Sequence, residues 1–299
     1  MVDPFLGAGL ALVAALAWAA QYVFIRLATT DGSTLDAVAV ALVCNVVIVV
    51  PLALVLSSPA DVTSLEAVGA FVGAGLAGSL FGRLCQFRAV ETIGASRSAP
   101  VIASTALFST VLAVLFLGET LTLAHALGIV LIVAGVAYIS WETANEEAEV
   151  PLREVGISLL IPLGAAVFFA IEPVFISWGL ADGTPVIAGF GIKVVAASIG
   201  FLVALSLTGS LPEPGDLVGP SLTWYVAAGV ASTLALGAYF LALEIAPVVV
   251  VVPIIQVSPL AVLVLSYLFL PRGLERVTWD LAVAASVVVA GAVVVSVSG

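Results

Sequence analysis

Ten apolar runs, most close to the length of a bilayer crossing, constrain this chain more than any other feature. A hydrocarbon core about 30 Å thick is spanned by roughly 20 helical residues. Inside it each segment must satisfy its own backbone N–H and C=O groups, so such runs fold as helices. Between polar punctuation the runs fall at 5–28, 35–57, 66–91, 96–118, 121–141, 156–180, 185–208, 222–246, 247–270 and 278–298. Hydrophobic residues make up 63% of the 299 positions and charged residues only 9%. Soluble domains carry roughly 25% charged residues, so no sizeable soluble domain fits here. The expected product is an all-α, multi-pass membrane protein whose solvent is the lipid bilayer.

The N-terminal run superficially resembles a signal peptide. It lacks a basic leading region and its first charge is Asp3, so it reads as an uncleaved first span. Acids outnumber bases 19 to 8, and Lys193 is the single lysine. This balance resembles the proteomes of salt-loving archaea, where molar salt screens charge repulsion. A GC-rich bacterium with drifted loop composition is the alternative. Cys44 and Cys85 both lie in apolar runs and read as small hydrophobes. No cofactor, metal site or nucleic-acid partner is expected. The chain holds no H-E-x-x-H, no G-x-S-x-G and no phosphate loop, which argues against a membrane enzyme.

The two halves of the chain resemble each other. "QYVFIRLATTDGST" (Gln21–Thr34) lies over "EPVFISWGLADGTP" (Glu172–Pro185), with Val-Phe-Ile and Asp-Gly in register. "ETIGASRSAPVI" from Glu91 matches "EIAPVVVVVPII" from Glu244, pairing Pro100 with Pro253. After a three-residue insertion, Glu119 pairs with Glu275. The halves run over 1–145 and 156–299, joined by an acidic linker at 146–155. Each half holds five spans. Five is odd, so the second half inserts upside down relative to the first, as in many secondary transporters.

This pattern resembles the EamA-type transporters of the drug/metabolite transporter superfamily. The resemblance rests on ten spans in two repeats and on Gly118-Glu119 after the fourth span. It also rests on a fifth span with Gly128 and Gly135, and on the aromatic-polar core "WAAQYVFIRLA" of the first span. The second half departs from it, with "LPRGLERVT" in place of a clean Gly-Glu. The resemblance implies a carrier for a small-molecule substrate such as a metabolite, amino acid or drug.

Polar residues inside spans are costly and are functional candidates by default. At about 1.5 Å per residue, Glu172 and Lys193 each lie roughly 12 Å from one face, and Gln21 and Arg83 lie as deep from the other. All four therefore fall near the midplane, where transporter sites lie at the repeat interface. Asn45, Gln86, Tyr239 and Gln256 complete the candidate binding set. Pro162 and Pro173 are expected to interrupt the sixth span, and Pro253 and Pro259 the ninth; interrupted helices free backbone groups for ligands. A static Glu172–Lys193 lock between two helices is the competing reading. Arg26 and Arg88 are expected to snorkel to the interface. Glu119 reads as a helix-cap or turn determinant, and His125 as hydrogen-bonded structure. Gly69/Gly73 and Gly78/Gly82 are spaced to let helices approach closely.

Two positives, Arg83 and Lys193, face one negative, Glu172. The surplus suits a carboxylate-bearing substrate moved by alternating access about a cavity bounded by spans 1, 3, 6, 8 and 9. A coupling proton on Glu172 is a further option that a neighbouring Lys193 opposes. A multidrug or cation exporter of the same superfamily is the alternative, with a channel or enzyme behind it. The protein is expected in the cell membrane as a monomer or homodimer. Arg26, Arg88, Arg97, Arg153, Arg272 and Arg276 all lie towards the face opposite the termini. By the positive-inside rule that face would be cytoplasmic. Related carriers are described with cytoplasmic termini, which leaves the orientation open.

Overall fold

The computed structural model describes residues 4–28, 34–58, 61–93, 98, 101–144, 156–209, 221–269 and 279–297. These residues form helices and short connections, with no strand among them. The first half contains α1 (Pro4–Ala28), α2 (Thr34–Leu56), α3 (Leu65–Ala74), α4 (Arg83–Ile93), α5 (Thr105–Leu112) and α6 (Leu123–Ala144). The second contains α7 (Leu160–Ala181), α8 (Val186–Thr208), α9 (Leu222–Ile245), α10 (Val248–Ile255), α11 (Ser258–Phe269) and α12 (Trp279–Val297). Six helical segments are long and apolar enough to cross a bilayer: Phe5–Ala28, Asp36–Leu56, Leu65–Ala89, Leu160–Ala181, Val186–Thr208 and Leu222–Ile245. Shorter apolar helices at Val101–Leu117, Leu123–Tyr138, Val248–Val262 and Ser286–Val297 fall on the remaining apolar runs. The acidic linker 146–155, the turn at Asp31-Gly32 and residues Arg97, Pro100, Arg153, Arg272, Glu275 and Arg276 lie outside the described residues.

The helices follow from the sequence with three local departures. Leu65–Ile93 is one continuous helix, but Gly75–Gly82 within it winds as a π-helix between α3 and α4. Glycine tolerates the wider turn because it brings no Cβ into the crowded backbone. The fourth span ends in a second π segment, Ala113–Leu117, closed by Gly118 at φ 68°. That left-handed conformation favours glycine, so Gly118 makes the turn and leaves Glu119 free for another task. The ninth span breaks between α10 and α11 at Gln256 and Val257.

The prolines divide accordingly. Pro173 lies inside α7, which continues through it, and Pro162 lies in the first turn of the same helix. A first-turn N–H has no intrahelical partner to lose, so Pro162 costs little there. The sixth span is therefore kinked at most, which corrects the expected interruption. Pro253 lies in α10 before the break of the ninth span, and Pro259 is the second residue of the restarted helix α11.

Close packing follows the small residues. A Cβ on Gly128 would come within 2.6 Å of Val295 and 2.8 Å of the Gly291 carbonyl, and one on Gly291 within 2.7 Å of the Gly128 carbonyl. Gly135 meets α12 through Val288 and the Ala284 carbonyl. The glycines of α6 thus bring it against the backbone of α12, as small-residue interfaces do where lipid supplies no hydrophobic drive between helices. Gly73, Gly78 and Gly82 face α7, whereas a Cβ on Gly69 would meet nothing within 4 Å. The expected Gly69/Gly73 pair therefore contributes one contact residue, not two. Gly128→Val is expected to destabilise the fold by about 1–3 kcal/mol through overpacking, and Gly69→Ala, which meets no neighbour, to stabilise it by up to about 1 kcal/mol. Denaturant titration in mixed micelles would check both.

Candidate functional site

Glu172 and Lys193 meet. Lys193 Nζ lies 2.6 Å from Glu172 Oε1, with the two side chains 1% and 11% exposed. α7 delivers Glu172 one residue before Pro173, and α8 delivers Lys193 two turns into its run. Pro173 removes the donor that would reach the Phe169 carbonyl, so the helix is locally weakened beside the charge. The π segment of the third span lies directly opposite. A Cβ on Gly78 would overlap the Glu172 side chain, one on Gly82 would press within 2.8 Å of the Phe169 ring, and one on Gly75 would lie 2.6 Å from the Lys193 carbonyl. Two helix irregularities, one from each half, therefore flank one buried ion pair. Lys193 also lies 5.8 Å from the centre of the Phe240 ring, within range of a cation–π attraction.

Arg83 opens α4 immediately after the π segment. Its charge lies within electrostatic reach of Lys193, and the two repel. Among the described residues Arg83 forms no ion pair. Tyr239 of α9 is buried, feels the charge of Glu172, and packs edge-on against Trp18 at 5.5 Å. The described centre thus consists of Arg83, Glu172, Lys193 and Tyr239, lined by Gly78 and aromatic rings.

The remaining candidates are placed elsewhere. Asn45 is buried on α2, where its Oδ1 accepts from Thr233 of α9 at 2.6 Å. It joins two helices, and cross-helix bonds of this kind contribute about 0.6 kcal/mol on average. Gln86 Nε2 donates to the Tyr22 hydroxyl at 3.3 Å, tying α4 to α1. Gln21 is buried on α1, which packs mainly on α9, α10 and α11. Gln256 caps α10 at the break, its backbone N–H reaching carbonyls of the preceding turn. No hydrogen bond joins Gln21 or Gln256 to the ion pair among the described residues. Arg26, Arg88 and Glu244 are exposed.

Glu119 and His125 have structural partners. Glu119 accepts from the backbone N–H of Val248 at 2.8 Å and of Val249 at 2.9 Å. Two of the four orphan donors at the start of α10 are thereby satisfied, and the negative charge lies at the positive end of the helix dipole. Burial pushes the Glu119 carboxyl up, while the Val249 and Val248 amides pull it back. Thr122 Oγ1 accepts from the His125 backbone N–H at 3.2 Å, and His125 Nδ1 faces Thr122 in return. This is a capping box with histidine as its third-position partner. The π segment opposite Glu172 escaped the sequence reading; its only trace is the glycine spacing of "GLAGSLFG". An apolar cleft between α6 and α12, lined by Gly135, Tyr138 and Val283, lies away from these charges.

Sequence comparison now fixes the class. The profile of the EamA-like transporter family matches residues 5–141 and 156–297, in two copies. The chain belongs to the EamA-like transporter family, and it is a multi-pass membrane protein. No curated protein matches it. A solved structure, described only as the crystal structure of a protein, covers 98% of this chain and 96% of its own, with a TM-score of 0.76 and 19% identity. That likeness concerns the fold.

Proposed function

We propose that this protein is a secondary transporter that moves a small carboxylate-bearing metabolite, an amino acid or organic acid, across the cell membrane. Its ten spans form two inverted five-helix repeats, 1–145 and 156–299, and they rock about the Glu172–Lys193 level. The observation that carries the substrate class is Arg83. It is a guanidinium within reach of a neutralised Glu172–Lys193 pair, with no ion-pair partner among the described residues. Such a group matches a carboxylate in a bidentate geometry. Its charge at membrane depth is costly unless a partner arrives. Tyr239 supplies a hydroxyl within electrostatic reach of Glu172, with Trp18 packed against its ring and Phe240 beside Lys193.

A ligand screen tests this reading. Purified protein is heated with amino acids, organic acids and lipophilic cations in parallel. Carboxylates are expected to raise the unfolding midpoint, because a ligand that binds only the native state stabilises it by mass action. A response confined to lipophilic cations would transfer the site to the cation exporters of the same superfamily.

A further inference from the structure

The two halves of the chain are fastened together at one end of the bundle. Thr63 Oγ1 and Ser64 Oγ, from the connection after α2, donate to Asp182 Oδ2 at 2.7 and 2.5 Å. Thr63 and Thr184 hydroxyls face each other at 3.0 Å, and the Thr63 backbone N–H reaches Thr184 at 3.5 Å. These bonds join the connection after α2 to the turn Asp182–Pro185 between α7 and α8. The Ser64 and Thr63 hydroxyls hold the Asp182 carboxyl below its usual range. At the same end Glu119, from the turn after the fourth span, holds the start of α10 in the other half. Gly7 lies against Ala246 there as well, so tightly that a Cβ on Gly7 would overlap Ala246. Counting crossings of the bundle places residues 57–58, 61–64, 118–122, 182–185 and 246–247 on one face.

Aromatic rings lie beneath this polar layer. Phe71 of α3 is 0% exposed. Its ring fills a notch between α7 and α8, where a Cβ on either Gly179 or Gly189 would overlap it. Phe71 stacks on Phe240 at 6.3 Å, and Phe240 on Phe190 at 5.0 Å. At 1.5 Å per residue Phe71 lies about 9 Å inside the start of α3, and Glu172 about 14 Å inside the end of α7. The stack therefore lies between the Asp182 bonds and the Lys193–Glu172 pair, and Lys193 touches its inner side through Phe240.

We propose that these two layers are a closed gate: Asp182 with Thr63, Ser64 and Thr184 forms the latch, and Phe71 on Phe240 and Phe190 forms the plug. Glu119 holds α10 in the closed position as a second latch. The inference rests on the carrier reading above. It adds which face is shut in this conformation and which residues hold it. Both layers are built from residues of the two halves, so a rocking motion that separates the halves must break them together. Phe71 is large enough to block the path. Its seat is two glycines, and it can be withdrawn without leaving a charge unpaired. The two bonds to Asp182 are exposed to water, so breaking them exchanges them for water bonds at small net cost.

The test needs no substrate and so can fail independently of the substrate class. Cys44 and Cys85 are replaced by alanine and a reporter cysteine is placed at Tyr239, inside the plug. Labelling by a membrane-impermeant maleimide is then timed from each side of sealed vesicles. Asp182→Asn and Phe71→Ala are each expected to speed labelling from the latched face about tenfold, the effect of removing one or two closed-state bonds or their apolar equivalent. Labelling from the other face should fall or hold. An unchanged rate from the latched face in both variants overturns the gate. An equal rise from both faces also overturns it, since that reports a loosened bundle. Asp182→Asn lies in an exposed turn, so it keeps the test decisive should Phe71→Ala fold poorly.

Discussion

Lys193→Met is expected to destabilise the protein by about 3–5 kcal/mol, because it leaves Glu172 buried beside Gly78 without its counter-charge. Glu172→Gln alone is expected to be damaging for the mirror reason, since Lys193 is 1% exposed. Combining the two removes both charges. The double variant is expected to return to within about 1–2 kcal/mol of the native protein, because a neutral pair has no desolvation debt. Denaturant titration in mixed micelles reads all four proteins. A loss in the double variant equal to the sum of the two single losses would show that the two charges are not coupled. Transport separates the remaining readings. A double variant that is stable and inactive places the pair in the transport cycle, whereas one that is stable and fully active makes it a structural lock between α7 and α8.

Arg83→Gln is expected to act the other way round. Arg83 has no ion-pair partner among the described residues to strand, and its loss relieves repulsion on Lys193. Stability should therefore change little. Apparent affinity for the transported carboxylate should fall about 10- to 100-fold, the usual effect of losing a hydrogen bond to a charged group. Arg83→Lys should recover only part of it, since an ammonium keeps the charge but not the planar fork. Counterflow at a series of substrate concentrations measures this, and an unchanged KM in Arg83→Gln would remove Arg83 from the site.

Much of the architecture was legible because the bilayer imposes its own length on every crossing. The apolar runs predicted the described helices to within a few residues. The Glu172–Lys193 contact was legible for a related reason, since equal depth from one face brings neighbouring antiparallel helices level. What escaped depends on contacts distant in sequence. Nothing local tells Asp182 that Thr63 and Ser64 will meet it, or tells Asn45 that Thr233 will. Glu119 carried the signature of a cap, yet the helix it caps lies in the other half of the chain. The π segment at Gly75–Gly82 has helical propensity and periodicity throughout, and only packing against α7 and α8 selects the wider turn. Pro162 misled because a proline's effect depends on its position in the helix, which the apolar run does not mark.

The most direct test of the account is counterflow in proteoliposomes. Vesicles are loaded with an unlabelled carboxylate that stabilises the protein, and the labelled compound is offered outside at trace concentration. An alternating-access carrier exchanges one for the other and transiently accumulates label, with a rate that saturates and that depends on Arg83. Accumulation of label that is abolished by Arg83→Gln is the predicted result. Linear, non-saturating entry of the carboxylate, or counterflow of lipophilic cations alone, would contradict it.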